Sequence, residues 1–344
     1  MRVLLDTTFA RRAPHSGTAV YVERLAGALR ELGGVELLEV SNRRRRRPGG
    51  GGLASARNAL ADQWWTEIEL PRLARAAAAD VIHHPLPARA YGCRTPQVIT
   101  VHDLAFERLP ERFDPLFGRY ARFAHRAAAR GAGAVVCVSH CTANDVRTCW
   151  GVAAERLVIA PHGPGQALPP MPRTRPSHFL YVGDEEPRKN LPTLIEAYRR
   201  YRESAAHPLE LVLAGSAAAP PRAAGVRSEA GPDAARLARL YAGAAALVHP
   251  ALHEGFGMTP LEAMRLGTPV IAAAAPGITE VCGDAARYVD PRDVAGLVAA
   301  LTELAGSAPL RGELADRGLR RVARYSWAAS ARKHLDAYSL AGSR

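Results

Sequence analysis

The sequence predicts an α/β protein built from two domains, each a parallel sheet with helices over both faces. Three features predict this. Short apolar runs alternate with helical stretches from the first residues onward. A proline-rich stretch at 161–177 then interrupts the alternation, and a second alternating series starts at Phe179. Apolar strands that alternate with helices are buried on both sides, which is the signature of a parallel sheet. The 344 residues suffice for two such cores, and a hydrophobic fraction of 48% is ordinary for a globular chain.

Val3-Leu4-Leu5 reads as the first strand, and its apolar run is far too short for a signal peptide. Ala19 to Leu32 is helical, with Val20, Leu25, Ala28 and Leu29 on one side and Gly33-Gly34 at its end. Val35 to Val40 is the second strand. Trp64 to Ala79 is helical, with an interruption at Pro71. Short strands follow at Val81-Ile82 and Gln97–Val101, ending at His83-His84 and His102-Asp103. Pro115 to Arg130 is helical, and Ala134–Val138 and Leu157–Ile159 are apolar strands. Pro161, Pro164, Pro169, Pro170, Pro172 and Pro176 leave no room for an element, so the linker lies there. The domains are expected at 1–165 and 166–344, with the last helix able to pack back on the first. The second series runs through Phe179–Val182, the helix 190–205, the strand 209–213, the helix 233–242, the strand 244–249 and a strand at Val270-Ile271. Helices at 294–304 and 328–340 close it.

The five cysteines show no paired spacing, which argues against a zinc site and for thiols in a reducing compartment. No run approaches the roughly 18 apolar residues of a membrane span. The expected location is the cytoplasm. The net charge is +12, and Lys189 and Lys333 are the only lysines among 45 cations. The densest basic run is Arg43-Arg44-Arg45-Arg46-Arg47, followed by Pro48 and four glycines. This loop is read either as a peripheral contact with an anionic membrane or phosphate-bearing acceptor, or as a solvated loop. No aromatic interleaving accompanies it, so nucleic acid is not expected as a partner.

The most informative stretch is His253-Glu254-Gly255-Phe256-Gly257-Met258-Thr259-Pro260-Leu261-Glu262. It follows a strand and opens a helix that Gly267 stops. A Gly-x-Gly turn there leaves backbone N–H groups free, and the helix N-terminus adds about half a positive charge. Such a turn holds phosphate, and a glutamate on each side adds acceptors for hydroxyls. The pattern resembles the E-x7-E signature of retaining glycosyltransferases of family 4, with the GT-B fold: two Rossmann-like βαβ domains facing across a cleft. The resemblance implies that Glu254 holds hydroxyls of the donor sugar, Gly255 to Thr259 contact sugar and phosphate, and Glu262 holds the ribose.

Gly183-Asp184-Glu185-Glu186-Pro187-Arg188-Lys189-Asn190 follows the first strand of the second series. Cations at a helix start oppose the dipole unless an anion is present. The segment resembles the family's diphosphate clamp, with Arg188 as a bidentate fork and Lys189 as a point charge. Two such cations can stabilise a leaving diphosphate without a metal, and no cofactor is expected beyond the nucleotide-diphosphate sugar itself. His102 ends a first-domain strand, and the resemblance implies contact with the donor sugar. Gly17, before the first helix, allows phosphate to approach the backbone, although the family's turn is richer in glycine. Ser139 is read as a helix cap or an acceptor contact, and Glu280 as architectural within a loop. Between Gly215 and Tyr241 the chain departs from the family: a helix looks cut back and the strand is polar. Arg227 and Ser228 are the base-contact candidates there.

The resemblance thus implies transfer of a mannosyl- or glucosyl-like unit from a GDP- or UDP-linked donor to a hydroxyl acceptor, with the anomeric configuration retained. A glycan, a lipid-linked acceptor and a natural product stay open. The alternatives are an epimerase or phosphorylase on the same fold, or a non-catalytic binder of nucleotide sugar or glycolipid.

Overall fold

A computed structural model describes residues 1–44, 53–215 and 223–343. The chain forms two units. The first comprises Met1–Glu107, Asp114–His162 and Trp327–Arg344, and the second Arg108–Phe113 and Gly163–Ser326. In the first unit, strands β1 (Arg2–Asp6), β2 (Glu36–Val40), β3 (Val81–His84), β4 (Gln97–Val101), β5 (Ala134–Cys137) and β6 (Leu157–Ile159) form one sheet in the order β2-β1-β3-β4-β5-β6. In the second, β7 (His178–Val182), β8 (Glu210–Gly215), β9 (Val226–Ala230), β10 (Ala244–His249), β11 (Val270–Ala273) and β12 (Arg287–Val289) run β12-β11-β10-β7-β8-β9. Every pairing in both sheets is parallel. Each sheet is therefore the α/β type the alternation predicts. The central strands β3, β4, β5, β10 and β11 are buried along their whole length, as helices on both faces require.

Local chemistry sets the helix ends. The Ser16 hydroxyl accepts the Ala19 N–H at the start of the Gly17–Leu32 helix, and Gly33, at φ +68°, ends it. Asp114 accepts the Phe117 N–H ahead of Pro115–Gly131. In the second unit, the helices Leu191–Ser204 and Val294–Gly306 bring Leu194, Tyr198, Tyr201, Leu297 and Leu301 onto Phe179, Leu211 and Val248 of the sheet.

Several elements differ from the sequence expectation. The Leu53–Trp64 helix continues through a π turn, Trp65–Glu69, into Leu70–Ala76. The irregularity precedes Pro71, which lacks the N–H that a regular helix would use there, so the helix continues past the proline only by widening into the π turn. The Pro276–Cys282 segment, read as a loop, is a helix: Pro276 opens it, where a missing N–H costs nothing, and Gly283, at φ +57°, stops it. A further helix, Ala308–Val322, is capped by Ser307. The polar strand β9 is real, and its polarity follows from its position at the sheet edge, where charge blocks further pairing. Residues 216–222 of the departing section, and Arg45, Arg46 and Arg47 of the basic run, lie outside the described residues.

The Trp327–Gly342 helix belongs to the first unit although it ends the chain. Its inner face, Trp327, Ala331, His334, Ala337 and Tyr338, is buried. The Tyr21 hydroxyl lies 2.7 Å from Thr100 Oγ1 and 2.8 Å from His334 Nε2, and the Tyr338 hydroxyl lies 2.8 Å from His83 Nδ1. Buried polar groups are tolerated because each finds a partner. Burial holds the His334 imidazole down to about 4 from its ordinary 6.5, and lowers His83 as well. These histidines therefore bind fewer protons in the folded chain than in the unfolded one between these values, so their contribution to stability is full above pH 6.5 and is lost as pH drops toward 4. His334 alone accounts for about 3 kcal/mol of that loss. Thermal melts recorded from pH 7 to pH 4 should show a steady fall in Tm below pH 6.5; a flat profile would contradict the neutral network.

Candidate functional site

The second sheet changes direction of connection between β7 and β10: β8 and β9 lie beyond β7, and β11 and β12 beyond β10. The loops leaving the carboxyl ends of β7 and β10 therefore diverge and open a crevice, where ligands of parallel sheets bind. Those two loops hold residues 183–190 and 250–257, the segments that carry the sequence motifs.

The two loops are tied together. Asn190 adopts a left-handed conformation at φ 59° and donates from Nδ2 to the carbonyls of Pro250 at 3.1 Å and Pro291 at 2.7 Å. The Leu252 N–H donates to the Arg188 carbonyl at 2.8 Å. This staple places Arg188 and Lys189 against the second loop. Lys189 Nζ lies 2.7 Å from Glu254 Oε2, and Arg188 Nη1 lies 3.2 Å from the same oxygen. Arg188 Nε also donates to Glu186 at 2.8 Å. His249, at the end of β10, brings its Nε2 to 3.5 Å from Glu254 Oε2.

Glu254 is about 14% exposed in its side chain, and so is Lys189. Burial alone would raise the Glu254 carboxyl. The Lys189 and Arg188 charges outweigh it and hold the group well below the usual carboxylate range. Glu254 is thus ionised at neutral pH and acts only as an acceptor, which suits a grip on hydroxyls.

Gly255, Phe256 and Gly257 are buried, and Met258 and Thr259 are half-buried at the start of the Met258–Arg265 helix. Gly257 takes φ +108° as the residue before that helix, a conformation that side chains disfavour. The Phe256 ring packs edge-on to Tyr325, with centroids 5.6 Å apart, so its side chain serves the core. Gly277 provides the close approach from the next helix. A Cβ there would stand 2.0 Å from the Glu254 carbonyl oxygen and 2.9 Å from Gly255.

Glu262 points inward. Its Oε1 accepts the Gln166 N–H at 2.7 Å, and its Oε2 accepts the Tyr241 hydroxyl at 2.8 Å. Burial pushes its carboxyl up to about 7, against the two hydrogen bonds. It anchors the linker to the second unit, and a ribose would have to share these oxygens. Arg173 reinforces the anchor, donating to the carbonyls of Tyr241 and Ala244 at 2.6 Å each. Gly183, at φ +150°, lies just after β7.

Arg227 is not brought to the Glu254 cluster. It occupies the second position of the edge strand β9, away from the carboxyl end, and pairs with Glu229 and, at 3.6 Å, with Glu210. Ser228 is its exposed neighbour on that strand.

In the first unit, His102 follows β4. Its Nε2–H donates to the Pro85 carbonyl at 3.0 Å, which leaves Nδ1 as the acceptor of a neutral ring. Burial lowers its pKa, and Pro85 and Asp103 partly oppose that. The Tyr21 ring stands edge-on at 4.8 Å. Gly17, expected before the first helix, is instead the first residue of the Gly17–Leu32 helix, which a short helix, Thr8–Arg12, separates from β1, and it is exposed. Ser139 caps the His140–Trp150 helix by accepting the Thr142 N–H at 3.0 Å, so its structural role is the one on display.

Sequence reasoning missed Asn190 as the staple, His249 beside Glu254, Gly277, Arg173 and Tyr241. The run Arg188-Lys189-Asn190 held the signal for the first, since asparagine is the side chain that most readily takes a left-handed turn before a helix. His249 is close to Glu254 along the chain but carries no motif of its own, and Gly277, Arg173 and Tyr241 depend on partners 21 to 71 positions away.

Residues 15–164 match the model of Glycosyltransferase Family 4, and residues 176–307 match that of Glycosyl transferases group 1. An O-antigen chain mannosyltransferase B of Escherichia coli is 27% identical over 71% of this chain and 70% of its own length. An MMP alpha-(1->4)-mannosyltransferase of Mycolicibacterium hassiacum is 30% identical over 72% of this chain and 66% of its own. Sucrose-phosphate synthase from Thermosynechococcus elongatus, a GT-B structure, superposes with a TM-score of 0.74 over 98% of both chains at 20% identity. Each half of the sequence thus matches a glycosyltransferase model, and each unit has the parallel sheet of the GT-B fold; the chain belongs to the family 4 glycosyltransferases.

Proposed function

We propose that the protein is a retaining hexosyltransferase that moves a mannosyl- or glucosyl-like unit from a GDP- or UDP-linked donor to a hydroxyl acceptor. One observation carries the reading: Arg188 and Lys189 converge on the ionised Glu254 where the connections of the second sheet diverge. The two mannosyltransferase relatives support the hexosyl class.

When the bond between sugar and diphosphate breaks, negative charge grows on the leaving oxygen. Arg188, Lys189 and the N–H groups at Gly257–Thr259 meet that charge with preorganised dipoles and cations. Glu254 accepts from sugar hydroxyls and orients the ring, and is not a covalent nucleophile. The acceptor oxygen attacks from the face the diphosphate leaves, which retains the anomeric configuration. His102, neutral with a free acceptor nitrogen, orients the sugar or receives a hydroxyl proton. The two cations do what a divalent metal does elsewhere, so the reaction is metal-independent. The reading places the enzyme in the cytoplasm.

NMR of the product of an α-linked nucleotide hexose, formed with EDTA present, checks this. An α-linked product at an undiminished rate is expected. A β-linked product would overturn retention, and loss of turnover restored by Mg²⁺ would overturn metal independence.

A further inference from the structure

A pocket of about 400 Å³ opens at the carboxyl ends of β1 and β2 in the first unit, a volume within the range of small-molecule sites. Arg11, Ser41, Arg43, Arg44, Trp65 and Leu73 line it. Ligands of parallel sheets bind on this side of the sheet, and His102 follows β4 on the same side. A chain of hydrogen bonds holds the walls. The Trp65 indole N–H donates to Asp6 Oδ2 at 3.0 Å, and Asp6 Oδ1 accepts the Thr8 N–H at 2.9 Å. Thr8 Oγ1 accepts the Asn42 N–H at 2.9 Å. Asn42 is buried; its Oδ1 accepts the Arg44 N–H at 3.0 Å, and its Nδ2 donates to the Ala61 carbonyl at 3.0 Å. The backbone that carries Arg43 and Arg44 is thus fixed to the Thr8–Arg12 helix, which carries Arg11, and to the Leu53–Trp64 helix.

The pocket has more cations than its carboxylates can neutralise. Glu39 and Glu69 also line it, and each is already engaged: Glu39 by Arg30 and Glu69 by Arg44, whose Nη2 lies 2.8 Å from Oε1. Arg11 and Arg43 have no ion pair among the described residues, and residues 45–52 contain no aspartate or glutamate. Cations gathered without counter-charge repel one another unless an anion joins them. Arginine forks match phosphate bidentately. A phosphate monoester carries about 1.5 to 2 negative charges at neutral pH, which balances two arginines where a carboxylate balances one.

We propose that Arg11 and Arg43, with Arg44 beside them, hold the phosphate of a phosphate-bearing acceptor. This rests on the transferase reading, which leaves the acceptor open. The sheet order sets the size of such a molecule. The carboxyl ends of β2 and β4 are three strand spacings apart, about 14 Å. The acceptor therefore carries its phosphate at one end and the reacting hydroxyl, near His102, at the other. Glu39 and Glu69 offer acceptor oxygens to hydroxyls between the two.

Calorimetric titration of the full chain with mannose 6-phosphate and with mannose tests the proposal. The phosphate ester should bind at least tenfold more tightly, and rising salt should weaken it. Arg11→Gln with Arg43→Gln should lose at least tenfold in affinity for mannose 6-phosphate, while Arg320→Gln with Arg324→Gln, an equal charge change on the second unit, should lose none. Circular dichroism and the thermal shift with GDP or UDP should match the wild type in both variants, which separates a pocket defect from misfolding. Equal affinity for mannose and mannose 6-phosphate, or equal loss in the two double variants, would overturn the proposal and leave the transferase reading standing. Binding of phosphatidylglycerol vesicles but not of mannose 6-phosphate through Arg11 and Arg43 would give the pocket to a lipid headgroup and overturn it as well. A protein that binds mannose 6-phosphate through these arginines but neither GDP nor UDP would refute the transferase reading, and the acceptor role with it, while keeping the anion site.

Discussion

Replacing Arg188 and Lys189 together by alanine is expected to lower kcat by about 10³-fold or more while the protein stays folded. Removing one preorganised donor from a developing negative charge costs about 10²–10³ in rate, and here two cations converge on one site. A second effect adds to the first. Glu254 is ionised only because Lys189 and Arg188 outweigh its burial. Without them burial dominates, its pKa rises, and a fraction becomes protonated near neutral pH, where it donates instead of accepting. The variant should therefore show a rate that climbs with pH over a range where the wild type is flat. Leaving a buried carboxylate unpaired also lowers stability, and adding Glu254→Gln to the double variant should restore the Tm without restoring the rate. Steady-state kinetics and thermal melts give both readings, and turnover within tenfold of wild type would remove the clamp from the mechanism.

Gly277→Ala is expected to be the most damaging single methyl in the second unit. The added Cβ would meet the Glu254 carbonyl at 2.0 Å, and its obstacle is backbone with no flexible end to move aside. Overpacking of this kind costs about 1–3 kcal/mol. Relief requires the Glu254–Gly255 backbone to shift, and a displacement near 1 Å of a positioning group costs about 10²-fold in rate. The expected result is a kcat reduced by about 10²-fold with a modest loss of Tm. Gly306→Ala serves as the control, because a Cβ there meets nothing within 4 Å. Equal activity of the two variants would show that the Gly277 contact does not hold Glu254 in place.

Much of this site was legible along the chain because its parts are local. Glu254 to Glu262 form one strand-turn-helix, and a Gly-x-Gly turn at a helix N-terminus has a chemistry that spacing alone reveals. The Pro187–Asn190 segment is equally local, and its lone lysine stood out in an arginine-rich chain. The strands came through for a related reason: β5 and β11 lie where their apolar runs are, since full burial leaves no polar interruption. The helix that begins at Pro276 was misread, because the same residue marks turns and first helical positions, whereas the one that begins at Pro115 was recognised.

Glu262 shows where local spacing stops being informative. Its position eight residues after Glu254 suggested a second hydroxyl-binding carboxylate, whereas its side chain is engaged by Tyr241 and Gln166. Arg227 failed similarly, since a charge on an unusually polar strand turned out to mark the sheet edge. The sequence by itself determined the fold class and the two motif loops, because periodicity and turn chemistry are properties of consecutive residues. Only the tertiary structure decided that those loops flank one crevice, that Asn190 and Gly277 hold them there, and which residues of the first unit the returning last helix meets. Those outcomes rest on contacts between residues tens to hundreds of positions apart, whose hydrogen bonds and burial come into being only when the sheets form.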